Sequence, residues 1–202
     1  MAYEPIKWWF TVVKKIAFIV EGGTEKILIE SQQFKNWIQT FGLELIVPVV
    51  DASGGGNLLP HRIGDMLGTL ANNSPDHIFI LTDLEREPNI ATVKSAIEHP
   101  DVKDSFITIL ATESWFLACT DALRSWLPSE EAYVDDPESF TGDKPFERIR
   151  VLKLKASEGK RGVSNKKILA RQMLLHGFTF EKVLEHPNCS SMKYIERIFK
   201  SL

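Results

Sequence analysis

Short apolar runs alternate with amphipathic stretches through the first part of the chain. The runs cover residues 16–20, 43–50, 77–81 and 105–110. Each run is nearly continuous in apolar residues and is followed by polar or glycine-rich sequence, which is typical of strands buried on both faces of a sheet. Helical spacing of apolar residues predicts helices over about 25–40, 57–71 and 90–98, and another that starts near Glu113.

The order of these elements is β-α-β-α-β-α-β-α, with short connections. Parallel strands need crossovers of this kind, so the order predicts a mainly parallel sheet flanked by helices. Residues 128–145 combine prolines and acidic residues without a periodic pattern, and helical sequence resumes at Glu147. We therefore predict an α/β, Rossmann-like core over 1–127, an irregular linker over 128–145 and a basic helical C-terminal extension over 146–202 packed on the core.

Charge is distributed unevenly along the 202 residues, although the formal net charge is only −3. Residues 1–143 contain 10 Lys or Arg and 22 Asp or Glu, whereas residues 144–171 contain 10 Lys or Arg and 2 Asp or Glu. Basic clusters bind phosphate backbones in a salt-dependent way. A solvated, lysine-rich helix face is the alternative interpretation, and both stay open at this point. The candidate nucleic-acid contacts are Lys160, Arg161, Lys166 and Lys167.

Cysteine content and hydropathy exclude several classes of protein. The two cysteines, Cys119 and Cys189, are far apart and form no CxxC pair, so neither a disulfide framework nor a zinc knuckle is indicated. Lys14 and Lys15 split the N-terminal apolar sequence into runs shorter than the roughly 20 residues of a membrane span. We expect a cytoplasmic protein with no membrane partner.

Acidic residues follow the predicted strands. In open parallel sheets the functional crevice lies at the carboxyl ends of the strands. The acids at these ends are Glu21 with Glu25 one turn later, Asp51, the pair Asp83 and Glu85, and Glu113. Asp83 and Glu85 face the same way if the strand continues through them, because alternate residues of an extended segment share a side. Carboxylates that converge must raise their pKa values or recruit a metal, and hard oxygen ligands suit Mg²⁺ or Mn²⁺.

Each of these acids also has a local explanation. Carboxylates after strands commonly cap helices or interact with the helix dipole. We predict Thr24 as the N-cap of the first helix, which places Glu25 in the first turn, where the dipole favours a carboxylate. Asp51 can close a turn with Ser53. The coincidence at four strand ends favours a metal site over a solvated acidic rim.

The loop Gly54-Gly55-Gly56 precedes the second predicted helix. Free backbone N–H groups there are suited to a phosphate, and a flexible turn is the equal alternative. The sequence contains neither GxGxxG with its ribose acid nor a Walker GK[ST], so a nucleotide cofactor is weakly supported. HExxH, GxSxG and a Cys-His constellation are also absent from the sequence.

The residues around these carboxylates resemble a known family. The segment FIVEGGTE at 18–25 is similar to the E-G-x-T-E opening of TOPRIM-like domains, especially those of the OLD-family nucleases. Asp83-Leu84-Glu85 stands where that family has D-x-D. The segment ATESWFLA at 111–118 is similar to a stretch of the small standalone TOPRIM-like proteins known as DUF4276. The resemblance covers about residues 15–120.

The resemblance implies a TOPRIM fold and Mg²⁺- or Mn²⁺-dependent phosphodiester chemistry. It implies catalytic roles for Glu21, Asp83 and Glu85, and metal ligands among Glu21, Glu25, Asp83, Glu85 and Glu113. Two departures stand out, because Glu85 replaces the second Asp of the motif and Ser114-Trp115 replaces the second acid after Glu113. The late lysine of OLD-type nucleases has only Lys160 and Lys166 as candidates.

Three functions are compatible with these residues. The first is a TOPRIM-like nuclease acting on nucleic acid, with DNA favoured over RNA, in phage-defence or mobile-element biology. The second is a non-catalytic module that keeps the fold and binds nucleic acid or a partner protein. The third is a phosphotransfer or nucleotide-handling enzyme that uses the glycine loop. A homodimer is left open.

Overall fold

A parallel β-sheet forms the centre of the molecule. The computed structural model describes residues 13–85, 87–127, 132–139, 144–160 and 162–202. Its strands are β1 (Lys14–Val20), β2 (Leu43–Leu45), β3 (Val50–Asp51), β4 (His77–Asp83) and β5 (Asp104–Thr108). The order is β2-β1-β4-β5, with β3 paired to the end of β1, and every pairing is parallel. The predicted α/β fold with a parallel sheet flanked by helices is confirmed.

Ten helices surround this sheet in the described part of the chain. They are α1 (Gly23–Ile29), α2 (Gln32–Gln39), α3 (Gly64–Ala71), α4 (Ile90–Ala96), α5 (Glu113–Ala118), α6 (Thr120–Trp126), α7 (Pro145–Ala156), α8 (Lys166–Leu175), α9 (Phe180–Leu184) and α10 (Ser190–Lys200). A 3₁₀ turn covers Gly55–Leu58. None of the described helices is long and apolar enough to cross a membrane.

The first predicted helix is two helices, which corrects the sequence interpretation. α1 ends at Ile29, and Ser31 starts α2 by accepting a hydrogen bond on its side chain from the backbone N–H of Phe34. The first N–H groups of a helix have no carbonyl partner within it, and the Ser31 side chain satisfies one of them as the N-cap. The predicted Thr24 cap is also wrong, because Gly22 occupies that position and Thr24 is buried in the first turn.

Two other predicted elements are shorter than expected. The apolar run at 43–50 forms β2 and β3 with a gap between them, where Pro48 has no N–H to continue a ladder. The predicted helix at 57–71 starts only at Gly64, after the 3₁₀ turn and Pro60. Both interruptions lie at prolines, because proline has no backbone N–H to donate to a strand partner or within a helix.

The sheet separates two hydrophobic layers. Alternate residues of β1 point to opposite faces, so Phe18 lies in one layer and Ile19 in the other. The larger layer includes Phe180 of α9 and Phe199 of α10, which pack with Trp37 of α2. The helices after residue 145 therefore contribute directly to the main core. The division at 127 and 146 stays a prediction.

Candidate functional site

Glu21 lies beside the end of β4 because β1 and β4 are adjacent strands in register. Val20 is paired with Leu81, so Glu21 follows one strand where Thr82 and Asp83 end the next. The Glu21 carboxylate accepts hydrogen bonds through Oε2 from the Thr82 hydroxyl and, at 3.2 Å, from the backbone N–H of Asp83. These two donors hold the Glu21 side chain over the carboxyl edge of the sheet.

Asp83 is held by the next strand and by the helix that follows it. Its Oδ1 accepts hydrogen bonds from the Thr108 hydroxyl at 2.6 Å and from the hydroxyl and backbone N–H of Thr112, both at 2.9 Å. Thr108 is the register partner of Asp83 on β5, which explains why the two meet. Among the described residues no hydrogen bond is made to Oδ2, so this oxygen is available to a ligand.

Glu113 and Lys166 form an ion pair at the same edge. Glu113 begins α5 with its side chain only 1% exposed, and the Lys166 ammonium at the start of α8 lies 3.0 Å from Oε2. That contact has the distance of an ion pair but not the alignment of a hydrogen bond, and within the described chain neither Glu113 oxygen accepts one. Lys166 therefore supplies a counter-charge to the buried Glu113 carboxylate.

Burial and like charge raise two pKa values here. Burial, reinforced by the negative charge of Asp83, raises the pKa of Glu25 from 4.5 to about 7. Burial, reinforced by the charges of Glu113 and Glu21, raises the pKa of Asp83 from 3.8 to about 6, against the opposing hydrogen bond from Thr108. Burial is the main cause in both groups, and the neighbouring carboxylates add to it.

Lys166 carries part of the balancing charge. Burial acts to lower the pKa of its ammonium, but the neighbouring carboxylates outweigh that effect and the pKa is raised. Glu113 contributes most among these carboxylates, followed by Asp83 and Glu25. Lys166 is therefore a permanent cation at this site across the physiological pH range.

A cavity of about 410 Å³ opens over Glu21, Glu25, Asp83 and Lys166, whereas the buried Glu113 does not line it. Its lining residues come from the ends of β1, β3 and β4, the starts of α1 and α8, and the glycine loop: Glu21, Gly22, Gly23, Thr24, Glu25, Asp51, Ser53, Gly54, Asp83, Glu85, Lys166 and Lys167. Lys167 crosses the start of α1, where a Cβ atom on Gly23 would lie 2.2 Å from its Cε. The Lys167 side chain therefore passes close over Gly23 on its way to the cavity. We call this space the lysine-side cavity.

The glycine loop packs against the Glu21 carboxylate. A Cβ atom on Gly55 would lie 3.5 Å from the Glu21 carboxyl carbon, and the backbone N–H of Gly54 donates to the Glu21 carbonyl at 2.8 Å. Gly54 has φ +125°, a conformation that favours glycine. Gly54 lines the lysine-side cavity, and Gly55 and Gly56 line a neighbouring cavity. Phosphate binding by this loop stays a prediction.

Glu85 reaches the site by a different route from the one expected. β4 ends at Asp83, and Glu85 has a left-handed backbone with φ +48°, so Asp83 and Glu85 do not alternate along one extended strand. The geometric reason given from the sequence is therefore wrong. Glu85 is exposed and still lines the lysine-side cavity together with Asp83.

The remaining sequence candidates are placed as follows. Asp51 accepts a hydrogen bond from the backbone N–H of Ser53 at 2.7 Å, which is the local turn considered as its alternative role. Lys160 is 76% exposed, pairs with Glu158 at 2.8 Å and does not line the lysine-side cavity. Arg161 lies outside the described residues.

Sequence analysis missed the hydroxyl groups that orient the carboxylates. Thr82, Thr108 and Thr112 are all buried and donate to Glu21 or Asp83. Thr82 and Thr112 each directly precede a candidate acid in the sequence, and this adjacency could have indicated that they orient the carboxylates. The role of Thr108 follows only from strand register, which the sequence does not display.

The described residues form no closed protein cage for a cation. No three His, Cys, Asp or Glu side chains in the described ranges are placed to hold one ion together. Mg²⁺ usually keeps several waters and is held by one or two carboxylates plus substrate phosphates. Glu21 and Asp83 fit that pattern, because both are oriented by hydrogen bonds and border the same cavity.

A larger cavity lies away from these carboxylates. It has a volume of about 560 Å³ and is lined by α4 and by the chain leading into β5. One of its two lysines, Lys94, donates to Asp104 at 2.6 Å and to the Tyr194 hydroxyl at 2.7 Å. These contacts tie α4 and α10 to the edge strand. The chemistry, and not the volume, therefore locates the candidate site at the lysine-side cavity.

Fold and site together define an α/β protein with a carboxylate-lined crevice at the carboxyl edge of a parallel sheet. No family model matches the chain, and no curated protein matches it. A solved structure, the C-terminal region of the Burkholderia pseudomallei OLD protein, is similar over 93% of this chain and 98% of that chain, with 18% identity and a TM-score of 0.47. The functional proposal rests on the residues of this chain.

Proposed function

We propose that this chain is a TOPRIM-like nuclease that cleaves phosphodiester bonds with Mg²⁺ or Mn²⁺, and that it is related to the DUF4276 proteins. One observation carries the proposal. Carboxylates from the ends of β1 and β4 line one crevice with two lysines of α8, and the first of these lysines also pairs with the buried Glu113 at the start of α5. Such a site attracts a divalent cation and, with it, an anionic substrate.

The chain's own residues divide into a metal-holding group and an orienting group. Glu21 and Asp83 would hold the cation, with Glu25 and Glu113 as further carboxylates. Thr82, Thr108 and Thr112 keep the first two in place through their hydroxyl groups. The bound metal would supply activation of water and stabilisation of the leaving oxygen.

Lys166 and Lys167 would hold the phosphates of the substrate. Both stand at the start of α8 and line the lysine-side cavity, so they flank the carboxylates without separating them. Lys166 already pairs with Glu113, which keeps its ammonium near the crevice before substrate arrives. Lysine is suited to this role as a point charge for phosphate oxygens.

The test is metal-dependent cleavage of plasmid and single-stranded DNA and RNA by wild type and Glu21→Gln. The variant removes a ligand charge at nearly constant shape, so we expect cleavage to fall at least about a hundredfold, as when a metal ligand or its support is lost. Glu44→Gln is the matched control, because Glu44 is exposed on β2. Equal cleavage by wild type and Glu21→Gln would remove the assignment.

A non-catalytic nucleic-acid-binding module is the second candidate. It is favoured by the Glu113–Lys166 ion pair, which neutralises one carboxylate without a metal, and by the left-handed Glu85 in place of the motif's second Asp. Calorimetry distinguishes the two candidates on the same proteins. Salt-sensitive DNA binding with neither metal binding nor cleavage would establish the module and exclude the nuclease.

A further inference from the structure

A second cavity meets the first at the same carboxylates. It has a volume of about 350 Å³ and shares Glu21, Asp83 and Glu85 with the lysine-side cavity. From there it extends in a different direction, between the 3₁₀ turn and α4. We call it the aliphatic pocket. A ligand bound at Glu21 and Asp83 would therefore have one part on each side.

One part of the wall of this pocket is aliphatic, and the rest is polar or glycine. The aliphatic part is formed by Leu58, Leu59, Leu84, Val93, Ala96 and Ile97. Leu58, Leu84 and Ile97 are buried and belong to the smaller hydrophobic layer, so they are fixed by the fold. Pockets that combine aliphatic side chains with placed polar groups are typical of small-ligand sites. The volume is at the lower end of the usual range of about 300–1,000 Å³ for such sites.

The aliphatic pocket differs from the lysine-side cavity in its cations, because Lys166 and Lys167 stand among the acidic residues of the lysine-side cavity only. Besides Glu21 and Asp83 it has Glu85 and Glu87 on its lining, both exposed, and no Lys or Arg among its described lining residues. A metal at the first two carboxylates would leave Glu85 and Glu87 uncompensated. A phosphodiester backbone running through this side would meet like charge and lose affinity.

We infer that the aliphatic pocket receives one unpaired nucleobase, that of the terminal nucleotide of a nucleic-acid strand. The inference rests on the proposed function and specifies its substrate as a strand end. The strand lies along Lys166 and Lys167, the adjoining phosphate is held at the carboxylates, and the last base enters between the 3₁₀ turn and α4. A base inside a duplex cannot enter without unpairing, which costs a few kcal/mol.

The experiment places the fluorescent base 2-aminopurine either at an end or in the interior of a single-stranded oligonucleotide. Phosphorothioate linkages slow hydrolysis, and Mg²⁺ is present throughout. The fluorescence of 2-aminopurine rises when it leaves the base stack, so we expect a several-fold rise from one terminal position and little change from the interior. Ala96→Trp fills the pocket at an exposed helical position and should abolish the terminal rise.

The matched control is Leu175→Trp, which adds the same ring at a residue 76% exposed at the other end of α8 from the lysines. It should behave as wild type, and thermal melting of both variants establishes that each is folded. An equal rise from interior positions, no terminal response, or a terminal response unchanged in folded Ala96→Trp would overturn the inference.

Cleavage of unmodified DNA by the same three proteins separates this inference from the proposed function. Cleavage that is equally fast on linear and covalently closed circular single strands would overturn the terminal pocket while leaving the nuclease in place. A terminal fluorescence response in a protein that never cleaves would support the pocket and contradict the nuclease.

Discussion

Glu25 and Asp83 are carboxyl groups whose surroundings oppose their ionisation. Glu25 is 6% exposed, and each of the two has another acid among the causes of its raised pKa. The folded protein holds their protons to higher pH than the unfolded chain does. Ionisation at neutral pH therefore costs folding free energy in the absence of a cation, and this cost is what a bound metal would offset.

The metal-free protein should lose stability as pH rises from about 4 to about 7. Within this window the native state binds more protons than the unfolded state, because the folded pKa values of about 7 for Glu25 and about 6 for Asp83 exceed the unfolded ones. For Glu25 alone the loss is on the order of 3 kcal/mol. Thermal unfolding in chelator at pH 5 and pH 8 measures it, and a melting temperature independent of pH would contradict the expectation.

Glu25→Gln should raise the melting temperature of the metal-free protein at pH 8. The amide keeps the size of the side chain and removes the buried charge, and each kcal/mol is worth about 2–4 °C in a domain of this size. At pH 5 the gain should be much smaller, since Glu25 is then mostly protonated in the folded state. Glu44→Gln, at an exposed position, should change neither value.

At the scale of elements, α5 and α8 are joined by the ion pair of Glu113 with Lys166. Lys166→Met should destabilise the protein at pH 8, because it leaves the buried Glu113 charge without its counterion. Breaking a buried pair costs about 3–5 kcal/mol, and the lower end applies since Lys166 is 47% exposed. Glu113→Gln/Lys166→Met should recover most of the loss in urea unfolding; a double variant no more stable than the single one would contradict this.

The segment 132–139 is tied to the start of α10 by the buried Glu138. Its carboxylate accepts hydrogen bonds from the backbone and side chain of both Ser190 and Ser191. Glu138→Ala should cost about 2–4 kcal/mol in urea unfolding, because several charge-assisted hydrogen bonds at a helix N-terminus are lost together. Asp136→Ala, an exposed neighbour, is the control, and equal losses in the two variants would refute the capping role.

The sequence pattern predicted the elements better than it predicted their ends. Continuous apolar runs revealed the strands. The apolar pattern continues past Ser31 and Pro48, however, so the helix start at Ser31 and the strand interruption at Pro48 were missed. The left-handed backbone of Glu85 has no sequence signal, since a strand ending one residue earlier or later reads the same.

The acids of the site were predictable, and most of their partners were not. Glu21 and Asp83 stand at strand ends, where parallel sheets place functional groups. Thr108 meets Asp83 only because β5 lies beside β4 in that register, a long-range fact. The basic segment 144–171 contains ten lysines and arginines, and the sequence alone did not separate Lys166 and Lys167 from the other two candidates, Lys160 and Arg161. The start of α8 decides that Lys166 and Lys167 reach the cavity.

For the whole molecule, the uneven charge along the chain becomes a juxtaposition of an acidic sheet edge with two lysines. Lys167→Met should weaken DNA binding and lower the slope of log affinity against log salt by about one, as expected for one phosphate contact. Lys160→Met should leave the slope nearly unchanged, because Lys160 is paired with Glu158 and lies outside the lysine-side cavity. Binding titrations over a range of salt concentrations measure both slopes. Equal slopes for the two variants would argue against the lysine-side cavity as the place where the DNA phosphates bind.

Phe199, at the centre of the aromatic core, is translated long after the acidic residues of the candidate site. The carboxylates up to Glu113 are synthesised first, and Lys166 and Phe199 follow later. Ribosomes add roughly 5–20 residues per second, so for several seconds the growing chain has its acidic edge without the helices that complete the core. During these seconds the nascent chain contains Glu113 but not yet Lys166, the cation with which it pairs in the folded protein.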